Sequence, residues 1–315
     1  MNILITGGCG YVGSVLTQKL LDLGHRVTVV DVMWFGNYLL SNRNLTILQE
    51  DIRNIDLIPM NDIDAIFHLA NVANDPCSDL DPKLSWEINT LGSMLLVEKA
   101  IKNKVSQFIY ASSGSVYGVK EEEKVTEELS LVPISDYNKT KMISERVLLS
   151  YQDQINLQIV RPATVCGYSP RMRLDLSVNM LTMQALSNQR ITVFGGNQIR
   201  PNIHIQDLVD VYLHFLKLGS SVQGIYNAGF ENISILDIAQ RVTEFVPAEI
   251  VVTESNDPRS YRLSSDKLLA TGFKPRYQVV DGIRDVVEAY HSDKISNEEN
   301  CYNIKKMRKI GFGIQ

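Results

Sequence analysis

Short apolar runs alternate with longer amphipathic stretches through the first half of the chain. "NILIT", at positions 2–6, is a compact apolar run that predicts a strand. Val12, Val15, Leu16, Leu20 and Leu23 then recur at helical spacing, and Gly24 follows as a helix stop. "RVTVVD" predicts the second strand, "LTILQED" the third, "DAIFHLA" the fourth and "QFIYASS" the fifth. A helical stretch at about 82–102 separates the fourth from the fifth. "SDYNKTKMISERVLLS" predicts another helix, and "LQIVRPA" a sixth strand. Strands alternating with helices require right-handed crossovers, so the pattern predicts an α/β fold, a doubly wound parallel sheet of Rossmann type.

After Arg161-Pro162 the rhythm breaks. "GYSPRMRLD" is a loop rich in Arg and Pro, a helical stretch follows at 176–186, and the later apolar runs ("IYNAGF", "EIVVTES") are short and interrupted by turns. This half predicts a smaller, discontinuous α/β substrate-binding domain. The expected division is residues 1–165 for the Rossmann domain, with later segments at about 190–230 returning to it, 166–292 for the substrate domain, and 293–315 as a polar and basic tail. The basic cluster of that tail, Lys305, Lys306, Arg308 and Lys309, reads as solvated surface.

Composition narrows the partners. A chain of 315 residues, 44% hydrophobic and 21% charged, can bury a large core. Its net charge of −5 offers no basic field for nucleic acid or an anionic membrane. No apolar run approaches the roughly 20 residues that a membrane span needs. The four cysteines (Cys9, Cys77, Cys166, Cys301) are scattered without metal-like or paired spacing, so they read as free thiols, and no metal site is expected. The expectation is a soluble cytoplasmic protein.

Two motifs carry chemistry. "TGGCGYVGS" sets Gly7, Gly10 and Gly13 between the first strand and the first helix, with Tyr11 and Val12 inside the turn. Glycine lets the backbone approach a pyrophosphate whose charge the helix N-terminus favours. Asp31 closes the second strand 18 residues after Gly13, where a carboxylate accepts both ribose hydroxyls of NAD and repels the 2′-phosphate of NADP. In "YNKTK", Tyr137 and Lys141 lie four apart and share a helix face. A lysine ammonium there favours the tyrosine phenolate, and Ser113, ending the fifth strand in "ASSGSVYG", can bond the same substrate oxygen. Ser112 and Ser115 read as structural, as do His68 and His204.

With these residues in place, the chain resembles the extended short-chain dehydrogenases/reductases, in particular NAD-dependent nucleotide-sugar epimerases and dehydratases. The resemblance rests on "TGGCGYVGS", "HLA", "SSGSVYG", Tyr137-x-x-x-Lys141 and "RPATVCG", and runs on to "DPRSYRLSSDKLLATGFKPR". It implies that Asp51 and Ile52 border the adenine, and that Leu69 and Ala70 lie at the cofactor phosphates. It also implies that Arg200 and Arg259 grip a substrate pyrophosphate, with Asn179 on the substrate side. A homodimer is expected from the family's pairing of the 82–103 helix and the helix beginning near Ser135. "SPRMRLDLSVN" is similar to sequences in capsule and lipopolysaccharide sugar enzymes, a GDP-heptose 4-dehydrogenase among them, which makes Arg171 and Arg173 candidates for the phosphate or sugar. The family's 4,6-dehydratases carry an Asp-Glu pair after the catalytic hydroxyl residue, where this chain has Gly114 and Ser115. The implied reaction is therefore hydride chemistry without elimination. It is either epimerisation through transient oxidation, most often at C4, or oxidation with release of the keto-sugar. A non-catalytic dinucleotide-binding regulator is the remaining alternative.

Overall fold

The computed structural model describes residues 1–254 and 260–313. Its strands in chain order are β1 (Asn2–Thr6), β2 (Arg26–Asp31), β3 (Leu45–Gln49), β4 (Ala65–His68), β5 (Gln107–Ala111), β6 (Asn156–Pro162), β7 (Thr164–Cys166), β8 (Arg190–Phe194), β9 (Ile199–His204), β10 (Gly224–Ala228), β11 (Glu231–Ser234) and β12 (Glu249–Thr253). The helices are α1 (Tyr11–Asp22), α2 (Asp75–Ser78), α3 (Pro82–Trp86), α4 (Ser93–Lys102), α5 (Asp136–Leu149), α6 (Ser177–Asn188), α7 (Ile205–Leu218), α8 (Ile235–Thr243), α9 (Asp266–Leu269), α10 (Val279–His291) and α11 (Asn303–Lys309).

Seven strands form one parallel sheet in the order β10-β6-β5-β4-β1-β2-β3. Neighbouring residues of its strands are apolar on both faces because both faces are covered. Ile3, Ile5 and Phe67 join a core with Leu16 and Leu20 of α1 and Leu208, Tyr212 and Phe215 of α7. Leu4, Ile66 and Phe108 join the opposite core with Leu96 and Val97 of α4 and Leu148 of α5. The chain leaves β1 in one direction for β2 and β3, then returns past β1 to β4, β5 and β6. That reversal opens a crevice at the carboxyl ends of β1 and β4, the usual ligand position in such sheets.

The smaller part carries a three-stranded sheet, β11-β9-β7, and a parallel pair, β12-β8, around a separate core built on α6, α8 and α10. The expected return of 190–230 to the first sheet is thus divided. β10 extends that sheet beside β6, and α7 packs on α1, whereas β8 and β9 pair within the smaller sheets.

The basic cluster is solvated as expected, with Lys305, Arg308 and Lys309 exposed, but the segment that carries it is docked on the body of the protein. Met307 is 1% exposed, and with Ile304 and Phe312 it packs on a cluster containing Ile52, Val72, Cys77 and Ile88. The Phe312 ring lies 4.8 Å from that of Trp34. The charged residues dominate the composition there. Ile304, Met307 and Phe312, spaced three and five apart, still give one side enough apolar surface to dock.

Candidate active site

At the carboxyl ends of the central strands lies a cavity of about 370 Å³. Gly7, Gly10, Tyr11, Val12, Gly13, Asp31, Asp51, Ile52, Leu69, Ala70, Ser113, Tyr137, Arg171 and Arg173 all line it. The glycine turn is sterically compulsory at two positions. Gly7 has φ +75°, and a Cβ there would come 2.6 Å from the Ala70 nitrogen; one on Gly13 would come 2.2 Å from the Gly7 carbonyl oxygen. Asp31 accepts the N–H of Cys9 at 2.9 Å and that of Met33 at 2.7 Å. Burial raises its pKa, and these two donors pull it back. Asp51 is held by the Arg53 guanidinium through both carboxylate oxygens, which helps keep its pKa low against burial. Close backbone at the glycine turn and a fixed carboxylate at the end of β2 fit a dinucleotide.

The other end of the cavity holds the hydroxyl groups. α5 is capped by Ser135, whose Oγ accepts the Asn138 N–H and donates to Asp75 at 2.5 Å. Two residues on, Tyr137 faces the cavity, and Lys141, one turn further, lies behind it, 1% exposed. The Lys141 ammonium donates to the Ala111 carbonyl at 2.7 Å and sits 4.8 Å from the Tyr110 ring centre. Burial lowers its pKa to about 7, offset in part by Glu145. Burial pushes Tyr137 up to about 12; the Asp75 carboxylate adds to this, while Ser113 and Arg173 oppose it. Ser113 Oγ pairs with Ser115 Oγ at 2.7 Å, and Ser115 donates to Asn138 Oδ1.

Beneath this lies a buried chain of charge that motif spacing did not single out. Ser112 donates to Glu145, which binds Arg161 through two bonds of 2.9 and 2.6 Å. Arg161 donates to Tyr117 Oη, which donates to Asn227. Glu145 repeats the four-residue step from Tyr137 through Lys141, the available sequence signal for it. His68 is fully buried between the hydroxyls of Thr6 and Ser93.

Other expected residues fall elsewhere. Asn179 is fully buried and does not line the cavity. Its Oδ1 accepts the Gly167 N–H, and its Nδ2 donates to Tyr11 Oη and the Arg173 carbonyl. It fixes the loop that carries the arginines. Arg173 makes a two-bond ion pair with Asp175. The Arg171 guanidinium lies over Phe35, on the β2 side of the cavity, 4.1 Å from the ring centre. Arg200 does not line the cavity, and Arg259 lies outside the described residues. Sequence reasoning passed over Asp75, Trp34, Phe35 and Asn303, all of them cavity-lining.

A model described as the NAD dependent epimerase/dehydratase family matches residues 3–229. The chain belongs to this family. Within it, the chain is 26% identical over 320 residues to a UDP-glucose 4-epimerase of Lactobacillus helveticus, covering 92% of this chain and 97% of that one. It is 28% identical to the UDP-glucuronic acid decarboxylase 1 of Danio rerio over 96% of this chain and 76% of that one. Among solved structures, a UDP-glucuronic acid 4-epimerase of Bacillus cereus in complex with UDP-glucuronic acid and NAD superposes with a TM-score of 0.81. Its identity is 27%, over 93% of this chain and 99% of that one. The epimerase/dehydratase fold accounts for the parallel seven-stranded sheet and for the glycine turn at its centre.

Proposed function

We propose that this protein is an NAD-dependent nucleotide-sugar epimerase that oxidises the sugar transiently, at C4, and returns the hydride to the opposite face. The observation that carries this reading is one cavity holding the glycine turn, Asp31, Ser113 and Tyr137, with Lys141 buried behind them.

Tyr137 takes the proton of the sugar hydroxyl, Ser113 bonds the same oxygen, and Lys141 favours the phenolate by its charge. When bound, NAD supplies the hydride acceptor, and its positive ring favours the phenolate further. Gly7, Gly10, Tyr11, Val12, Gly13, Leu69 and Ala70 hold the dinucleotide phosphates, Asp31 the ribose, and Asp51 and Ile52 the adenine edge. Arg173 lines the cavity on the substrate side, and the family resemblance gives Arg200 and Arg259 to the substrate diphosphate. Elimination would need an acid and a base at positions 114 and 115. Gly114 has no side chain, and Ser115 is engaged by Ser113 and Asn138. Asp75 is the single carboxylate among the described residues lining the sugar end of the cavity.

The substrate domain we assign to 166–292, without β10 and α7, and the remainder to the cofactor domain. The enzyme works as a homodimer in the cytoplasm. Trp86 and Leu91 stay exposed on the helical segment beside α5, as a second copy would require. No described helix is long and apolar enough to cross a membrane, and the four cysteines are unpaired.

The test is a panel of UDP-, GDP-, CDP- and dTDP-sugars. Products are followed by NMR and NADH by absorbance. An epimerase forms the inverted isomer with no net NADH; stoichiometric NADH with a trapped keto-sugar would make it a dehydrogenase. With the active sugar, Tyr137→Phe should lower turnover by about 10² or more while NAD binding is kept. Near-normal turnover would remove Tyr137 from the proton transfer.

A further inference from the structure

We propose that Arg171 is a ligand for the pyrophosphate of the bound dinucleotide, fastened by the C-terminal helix α11, so that the cofactor stays on the protein through turnover. This rests on the NAD reading of the cavity.

The loop between β7 and α6 is tied to the first turn of α1. Ser169 donates to the Tyr11 carbonyl at 2.7 Å and pairs with Ser14 Oγ at 2.9 Å. Tyr11 Oη donates to the Gly167 carbonyl at 2.7 Å. These bonds hold the loop that carries Arg171 against the helix end where a phosphate is favoured. Its side chain is almost fully buried, yet it lines the cavity. One face of the guanidinium is covered by Phe35, and one N–H donates to Asn303 Oδ1 at 2.5 Å. Its Nε is buried with no partner.

A guanidinium has five donors, and burying one with a donor unmatched is unfavourable unless an anion meets it. No carboxylate pairs with Arg171 among the described residues. Arg173, its neighbour, is already matched by Asp175. The anion is therefore expected from the ligand. Asp31 would repel a 2′-phosphate on the adjoining ribose, which leaves the pyrophosphate over the glycine turn.

Asn303 fixes this arrangement from the far end of the chain. Its backbone N–H bonds Asp175 while its side chain holds Arg171. Met307 is buried behind it, and Phe312 packs on Trp34. Held in this way, Arg171 and α11 would oppose the release of a dinucleotide bound beneath them. Retention of this kind suits a reaction that returns the hydride to the sugar that gave it.

The experiment measures cofactor exchange, independently of turnover. Purified full-length protein is loaded with radiolabelled NAD and chased with unlabelled NAD, and retained label is counted after rapid filtration. Arg171→Met and Asn303→Ala should each speed release about tenfold or more, with Arg171→Lys in between. Circular dichroism and thermal melts of the unloaded variants check that the fold is kept. In parallel, calorimetry with UDP reads the substrate side. Release from Arg171→Met at the wild-type rate would overturn the proposal, and weakened UDP binding in that variant would give Arg171 to the substrate. Wild-type protein that binds no NAD would overturn the cofactor reading itself, a separate result.

Discussion

Tyr137 lies in a site that disfavours its charged form before any ligand arrives. Burial raises its pKa most, and the Asp75 carboxylate adds to the rise. A proton acceptor must be deprotonated, so activity falls as pH drops through the pKa of the loaded site. Removing the Asp75 charge removes an upward pull. The acidic limb of the pH–rate profile should therefore move to lower pH in Asp75→Asn, measured with the active nucleotide sugar. A limb that stays in place, or moves up, would show that Asp75 does not act on Tyr137. Asp31 governs a different choice. Its two backbone donors fix the carboxylate where a ribose hydroxyl pair would sit, so NAD should bind in preference to NADP. Asp31→Ala should narrow that preference, as read by calorimetry, and equal binding of the two cofactors by the unmodified protein would refute the role.

α5 does two tasks along one face. Tyr137 reaches the cavity, Lys141 stands behind it, and Glu145, one turn further, meets Arg161 from β6 beneath the end of β5. Both ions of that pair are nearly fully buried, at 1% and 3% side-chain exposure. Breaking a buried pair from one side leaves a bare charge, which costs about 3–5 kcal/mol. Arg161→Met should lower stability by that order in denaturant titration. It should also disturb Lys141, because Glu145 would turn from its lost partner. An unchanged unfolding midpoint would show that the pair contributes little. The same logic explains the glycine turn. At Gly13 a Cβ would meet backbone rather than a flexible side chain, so β1 and α1 can approach closely only with glycine there.

At the scale of the molecule, the site is assembled from distant stretches. Its walls come from β1 to β5, from α5, from the loop after β7, and from a helix that begins at Asn303. The C-terminal segment lines the cavity through Asn303, on the side of Trp34 and Phe35, and the loop after β7 lines it through Arg171 and Arg173. The outer helices beside α5 keep Trp86 and Leu91 exposed. A homodimer pairing there should give twice the chain's 35.5 kDa by light scattering at micromolar concentration. Trp86→Glu with Leu91→Glu should then shift the mass to the monomer. A monomer in the unmodified protein would refute the pairing.

The central parallel sheet was readable because its signals are local. A parallel sheet covered on both faces demands near-continuous apolar strands, and a nucleotide turn demands glycines at fixed spacing between strand and helix. The Tyr137–Lys141 face follows from the helical period alone. The docking of the tail was not legible because charge dominates its composition, while docking depends on three apolar side chains whose partners lie more than two hundred residues away. Asn179 misled for a related reason: an amide suits a ligand as well as it suits two backbone groups and a tyrosine. What Arg171 can meet depends on what surrounds it. Phe35 and Asn303 hold it toward the β2 side, and nothing within its own loop sequence carries that information. Sequence thus determined which chemistry is present, because spacing along one element sets it. Tertiary structure alone decided which charges are matched and which wait for a ligand, because matching depends on segments brought together only by folding.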